Sequence, residues 1–90
     1  MSIEVEVSAI FRSYFDDQGS ILAEGGTVGE CLQYLTEKYP STKNMLIDDE
    51  GNLQNHFEVF LNNESIYNTG SETPVTEGDK IALIYIVHGG

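Results

Sequence analysis

The chain has 90 residues and a net charge of −11, fifteen acidic side chains against four basic ones, with 40% hydrophobic residues. That is one small domain with one modest core, a surface that repels phosphate backbones and anionic lipid, and no apolar run long enough to span a bilayer. Neither nucleic acid nor membrane is an expected partner. A single cysteine, Cys31, permits no internal disulfide, and the N-terminus has neither the basic region nor the apolar block of a secretory signal, so the expected location is cytoplasmic. The acidity fits either a basic docking surface on a protein partner or plain solubility.

Ile3-Glu4-Val5-Glu6-Val7-Ser8 alternates apolar and polar residues, the mark of a strand with one buried and one wet face. Residues 9–15 stay apolar without alternation, and Asp16-Asp17-Gln18-Gly19-Ser20 supplies turn chemistry, so a hairpin to a second strand at 20–24 follows. Gly25-Gly26 closes that strand as a turn with no ligand role. Thr27 stands three residues before Glu30, the spacing at which a hydroxyl and a carboxylate cap a helix reciprocally. Val28, Cys31, Leu32, Leu35 and Tyr39 fall on one face of that helix, and Pro40 ends it. Within the stripe, Cys31 reads as core rather than as a nucleophile or metal ligand.

Residues 41–55 turn polar and form the longest loop, anchored by Met45, Leu46 and Ile47. Its acidic turn, Asp48-Asp49-Glu50-Gly51-Asn52, lacks the alternate oxygen ligands and distant bidentate glutamate of a calcium loop and reads as a surface turn. A strand resumes at 56–61, starting at a structural His56. Asn62-Asn63-Glu64 makes a tight turn because asparagine tolerates positive φ, and 65–67 returns beside the strand. Residues 68–79 are rich in turn formers and cross to a final strand. That strand, 81–87, has no polar alternation, which predicts a central position in the sheet with both faces covered.

The expected fold class is α+β, a mixed sheet with one main helix packed across it. If the first and last strands are parallel neighbours, the arrangement is the ubiquitin-like β-grasp; an antiparallel α+β sandwich with a hairpin on each side of the helix fits the same pattern. Directly after the final strand come His88, Gly89 and Gly90. At a glycine usage of about 7%, two closing glycines arise by chance in roughly 0.5% of chains. Without Cβ atoms they would carry the terminal carboxylate on a backbone thin enough for a narrow channel in a partner. The expected organisation is one domain over 1–90 with a protruding tail at 88–90.

Glu24-Gly25-Gly26-Thr27-Val28-Gly29-Glu30-Cys31-Leu32, then Tyr39-Pro40, Phe60-Leu61-Asn62, residues 70–74, Glu77-Gly78-Asp79-Lys80-Ile81 and Gly89-Gly90 together resemble, in order, the ubiquitin-like sulfur carriers. Within that family the chain looks like the branch of the molybdopterin synthase small subunit and the carrier of cysteine biosynthesis; the thiamine-pathway carriers are usually shorter. The resemblance implies a β-grasp domain whose Gly90 carboxylate is adenylated by a partner enzyme using ATP and magnesium. Conversion to a thiocarboxylate with sulfur from a donor system then lets it serve a sulfur-accepting synthase. The carrier itself would bind no cofactor and no metal and would not be an enzyme. One departure stands out, for the family commonly has proline and small residues before the diglycine, where this chain has Tyr85, Ile86 and His88. His88 is read as a tail residue that threads into the partner with Gly89, or alternatively as a proton donor or metal ligand, since an imidazole titrates near neutrality.

The chain holds no glycine-rich phosphate loop ending in lysine and serine or threonine, and no nucleophile with a base beside it. Two other functions share the pattern: a protein modifier joined to lysines through Gly90, and a β-grasp interaction module without acyl chemistry.

Overall fold

The computed structural model describes residues 2–46, 57–66 and 69–85. The first strand, β1 (Ser2–Val7), turns Ile3, Val5 and Val7 into the core and leaves Glu4 and Glu6 exposed, as the alternation predicts. It pairs antiparallel with β2 (Ser20–Glu24), Ile3 opposite Ala23 and Val5 opposite Ile21. The stretch between them, where alternation fails, is a 3₁₀ helix over Ala9–Phe15. Phe11 and Phe15, four apart, are buried, and Ile10 and Tyr14 face solvent. Asp16 and Asp17 take left-handed φ values of 57° and 60° to turn the chain back, a conformation aspartate tolerates better than most residues.

The helix α1 (Val28–Lys38) starts where expected. The Thr27 hydroxyl accepts from the Glu30 N–H at 3.1 Å. The reciprocal bond differs from expectation: the Glu30 carboxylate accepts from the N–H of Gly26 at 2.7 Å rather than from that of Thr27. Thr27 itself is extended and bridged to Pro74. Val28, Cys31, Leu32 and Leu35 have no exposed surface, and Tyr39 is partly buried, edge-on to Phe15 with centroids 5.3 Å apart. Burying each valine or leucine of the stripe favours folding by about 1.5–3 kcal/mol over leaving it exposed.

Pro40 ends the helix by opening a new turn, so the expected loop begins as a 3₁₀ turn, Pro40–Thr42, and a short helix, α2 (Lys43–Leu46). Leu46 and Thr42 are fully buried, the Thr42 hydroxyl donating to the Tyr39 carbonyl at 2.7 Å. Leu46 is thus an anchor. The Met45 side chain, Ile47, the 48–52 turn and His56 lie outside the described residues.

β3 (Phe57–Leu61) turns into β4 (Glu64–Ser65) through Asn62 and Asn63, both at positive φ, 51° and 72°, the hairpin geometry the sequence predicts. β5 (Lys80–Tyr85) completes a sheet in the order β2-β1-β5-β3-β4. β5 is therefore central, parallel to β1 and antiparallel to β3. The parallel pair makes the fold an α+β β-grasp and removes the antiparallel sandwich.

The expectation that both faces of the last strand are covered is wrong. Ile81 and Leu83 are fully buried, but Ala82 is only partly covered and Ile84 is 44% exposed. Among the described residues the main helix is α1, and its apolar stripe packs on the core side of the sheet, which leaves the opposite face without a helix of its own. Among the described residues no helix is long and apolar enough to cross a membrane.

Candidate functional site

His88, Gly89 and Gly90 lie outside the described residues, as do Ile86 and Val87. What the structure gives is the root from which they depart. β5 runs between two partners as far as Leu83, opposite Val7 of β1, and continues beside β3 alone to Tyr85, opposite Phe57. Its start is clamped by Asn62, whose backbone N–H donates to the Lys80 carbonyl at 2.8 Å and whose side-chain oxygen accepts from the Lys80 N–H at 2.9 Å. Asp79 braces the clamp, accepting from the Asn62 amide at 3.1 Å and the Thr76 N–H at 2.8 Å. The Thr76 N–H first, then the Asn62 amide, hold the Asp79 carboxyl below the usual carboxylate range.

Register places Phe60 beside Ala82 on the open face, with Ile84 two residues along β5. Glu4, Glu6 and Glu58 occupy the same face around them. The Lys80 ammonium sits 2.8 Å from the Glu6 carboxylate, which raises the lysine's pKa. Leu22, 61% exposed, lies on the edge strand across Glu4. The result is an apolar patch with an acidic border next to the root of the last residues. Sequence reading missed this surface because it took the apolar run as covered on both sides. The signal was present in the neighbours: Glu4 and Glu6 alternate with core residues one strand away, so the face they share with Ala82 and Lys80 had to be wet.

Other candidate groups are accounted for structurally. Cys31 is fully buried, and burial first, then the Glu30 carboxylate, push its thiol up, which keeps it protonated and unreactive at neutral pH. The first amides of α1 are taken: Val28 donates to the Thr73 carbonyl at 2.9 Å and Gly29 to the Ser71 carbonyl at 2.8 Å. With Glu30 capped by Thr27, the helix start offers none of these donors to a phosphate. Gly25-Gly26 forms a connection, with Val75 donating to the Gly26 carbonyl at 3.0 Å. Among the described residues no group of three or more His, Cys, Asp or Glu could hold a metal ion.

The ThiS family model matches residues 5–90. The chain is 27% identical to the sulfur carrier protein CysO of Mycobacterium tuberculosis over 93 residues, covering all of both chains. It is 36% identical over 75 residues to ubiquitin-related modifier 1 of Encephalitozoon cuniculi, covering 81% of this chain and 74% of that one. Among solved structures, a chain in the Amycolatopsis orientalis BexX/CysO complex superposes with a TM-score of 0.86 at 27% identity, covering 98% of this chain and 99% of that one. A β-grasp sheet with β1 and β5 parallel at its centre, together with a family match over nearly every residue, leads to one conclusion: the chain belongs to the ThiS family of ubiquitin-like sulfur carriers.

Proposed function

We infer that this protein acts as substrate and sulfur donor rather than as a catalyst, its Gly90 carboxylate being adenylated and then converted to a thiocarboxylate. The observation that carries this reading is the family match running through residue 90, which puts Gly89-Gly90 inside the matched region. A carboxylate is a poor acyl donor until an oxygen becomes a leaving group. A Gly90 oxygen attacks the α-phosphorus of ATP and pyrophosphate departs; a sulfur nucleophile at the sulfide level then attacks the acyl carbon and AMP departs. Transfer of that sulfur to an acceptor, with water entering at the carbonyl, restores the carboxylate.

The cations that stabilise the departing pyrophosphate, magnesium included, belong to the adenylating partner, since a chain with a net charge of −11 has few to offer. The patch of Phe60, Ala82 and Ile84, bordered by Glu4, Glu6 and Glu58, fits a partner with an apolar centre and a basic rim, whose attraction mainly raises the association rate. The sulfur acceptor is a precursor in molybdopterin-type cofactor synthesis or, in the related branches, of cysteine or thiamine. The synthase that co-purifies with the carrier distinguishes them.

Intact-mass analysis of protein isolated with its native terminus tests the reading. A fraction with one oxygen exchanged for sulfur is expected, and it disappears on deletion of Gly90 while the thermal midpoint stays the same, because a terminal glycine buries little. Absence of that species when the adenylating enzyme and a sulfur source are present overturns the reading. The relative named as a ubiquitin-related modifier favours a second use of the same acyl adenylate, attack by a protein lysine. Conjugates of higher mass, lost with Gly90, are its signature. A Gly90-deletion strain that makes its sulfur-containing cofactors normally and forms no conjugates reduces the protein to an interaction module.

A further inference from the structure

We propose that Ser8 is a positioning residue that fixes the end of β5 and thereby the path on which the Gly90 carboxylate reaches the adenylating site. The proposal rests on the carrier reading above. The ladder between the parallel strands β1 and β5 ends at Val7 opposite Leu83. At the next residue the chain leaves the sheet for the 3₁₀ helix, so β5 would continue without its neighbour on that side. Ser8 closes the gap. Its backbone N–H donates to the Leu83 carbonyl at 3.1 Å and its hydroxyl donates to the same oxygen at 2.8 Å, across 75 positions of sequence.

The hydroxyl's choice of partner is informative. Ser8 occupies the N-cap of the 3₁₀ helix in extended backbone geometry, where a serine ordinarily turns its oxygen to a first-turn N–H. Here it makes no side-chain cap, and the Phe11 N–H is served by the Ser8 carbonyl instead, at 2.9 Å. The side chain is directed at the strand that leads to residue 90. Gly90 lies seven positions beyond Leu83, within about 25 Å along even a fully extended chain at about 3.6 Å per residue, so the direction in which β5 leaves Leu83 bears on where the carboxylate can reach. A misplacement of about 1 Å at a reacting atom slows a reaction by up to roughly a hundredfold.

The test compares wild type with Ser8→Ala, which keeps the backbone donor and removes the hydroxyl, and Ser8→Thr, which restores it. In the free protein, amide exchange over residues 82–85 is expected to quicken about fivefold in Ser8→Ala, the equivalent of one ordinary hydrogen bond, with α1 and β2 amides unchanged. Pyrophosphate release by the adenylating enzyme, assayed with ATP well below the unfolding temperature, is expected to show kcat down about tenfold and KM within about twofold, because docking at the open face is retained. Ser8→Thr restores both readouts. Unchanged exchange at 82–85, unchanged kcat in a folded Ser8→Ala, or a loss confined to KM overturns the proposal. If wild type itself is not adenylated, the carrier reading fails and this role falls with it, while the exchange result still stands as a measure of the contact.

Discussion

The glycines that open α1 look alike in sequence and are expected to behave differently when given a methyl group. A Cβ built on Gly25 meets the Cys31 backbone nitrogen at 2.8 Å, the Glu30 Cβ at 2.9 Å and the Glu30 carbonyl carbon at 3.0 Å. Two of the three belong to the first turn of the helix backbone, which cannot rotate away, and comfortable carbon contacts begin near 3.5 Å. The connection or the helix start must therefore shift by about half an ångström, and overpacking of that kind costs about 1–3 kcal/mol. Against it stands the lower entropy of an unfolded chain with alanine in place of glycine, about 0.4–1 kcal/mol. Gly25→Ala should lose about 1–2 kcal/mol and lower the thermal midpoint by roughly 5–15 °C. The control is Gly26→Ala, whose Cβ would meet only the far end of a flexible side chain, Glu30 Oε1, at 3.4 Å; it should stay within about 0.5 kcal/mol of wild type. Urea and thermal unfolding followed by far-ultraviolet circular dichroism give both numbers. Equal stability of the two variants would refute the reasoning that close backbone approach, and not turn conformation, demands a glycine at position 25.

Four further outcomes are expected. Ile84→Asp should slow adenylation through a raised KM with little change in thermal midpoint, since Ile84 is 44% exposed on the open face; isothermal titration against the adenylating enzyme checks it. Association with that enzyme, followed by stopped flow, should slow steadily between low and high salt, because screening weakens the pull of a net charge of −11 on a basic rim. Asp79 has a folded pKa held below its ordinary 3.8, so its contribution is present above that value and is lost as pH falls through the lower, folded one. The gap in thermal midpoint between wild type and Asp79→Asn should be constant above about pH 5 and narrow below pH 4. Cys31, buried with its thiol pKa raised, should resist a disulfide reagent in the native protein and react fully in urea, an outcome reversed only if the helix opens at low cost.

How legible the molecule is in its sequence depends on whether a feature is local. The alternation of Ile3, Val5 and Val7 with Glu4 and Glu6 reports its own two faces, and the structure assigns them as written. Thr27 with Glu30, and Asn62 with Asn63, specify a cap and a hairpin turn from side-chain chemistry a few residues wide, and both are found. Failures occur where the partner is distant. The Glu30 carboxylate goes to Gly26 while Thr27 is tied to Pro74, a contact no window around the helix contains. Residues 40–46 look like a polar loop until the buried Thr42 and Leu46 show that a helical turn packs them against the end of α1. Ser8 reads as the last polar residue of a strand, and only the parallel placement of β5 reveals what its hydroxyl holds.

The misreading of β5 bears most on function. An unbroken apolar strand has two physical explanations: both faces are covered by the same chain, or one face is covered by the chain and the other by something else. With α1 the main helix in a 90-residue chain, the first explanation fails at Ile84 and Ala82. Isolated exposed apolar residues are ordinary on a protein surface, but Phe60 of β3 lies by register beside Ala82, two residues before Ile84 on the strand that leads to Gly90, and a grouped apolar face next to the segment proposed to react is the kind of surface that binds a partner. A carrier that is a substrate for one enzyme and a donor to another needs such a face. With its chemistry, on the function proposed above, confined to one terminal group, recognition must come from the folded domain, and the open side of the sheet provides apolar area without requiring any rearrangement of the core beneath it.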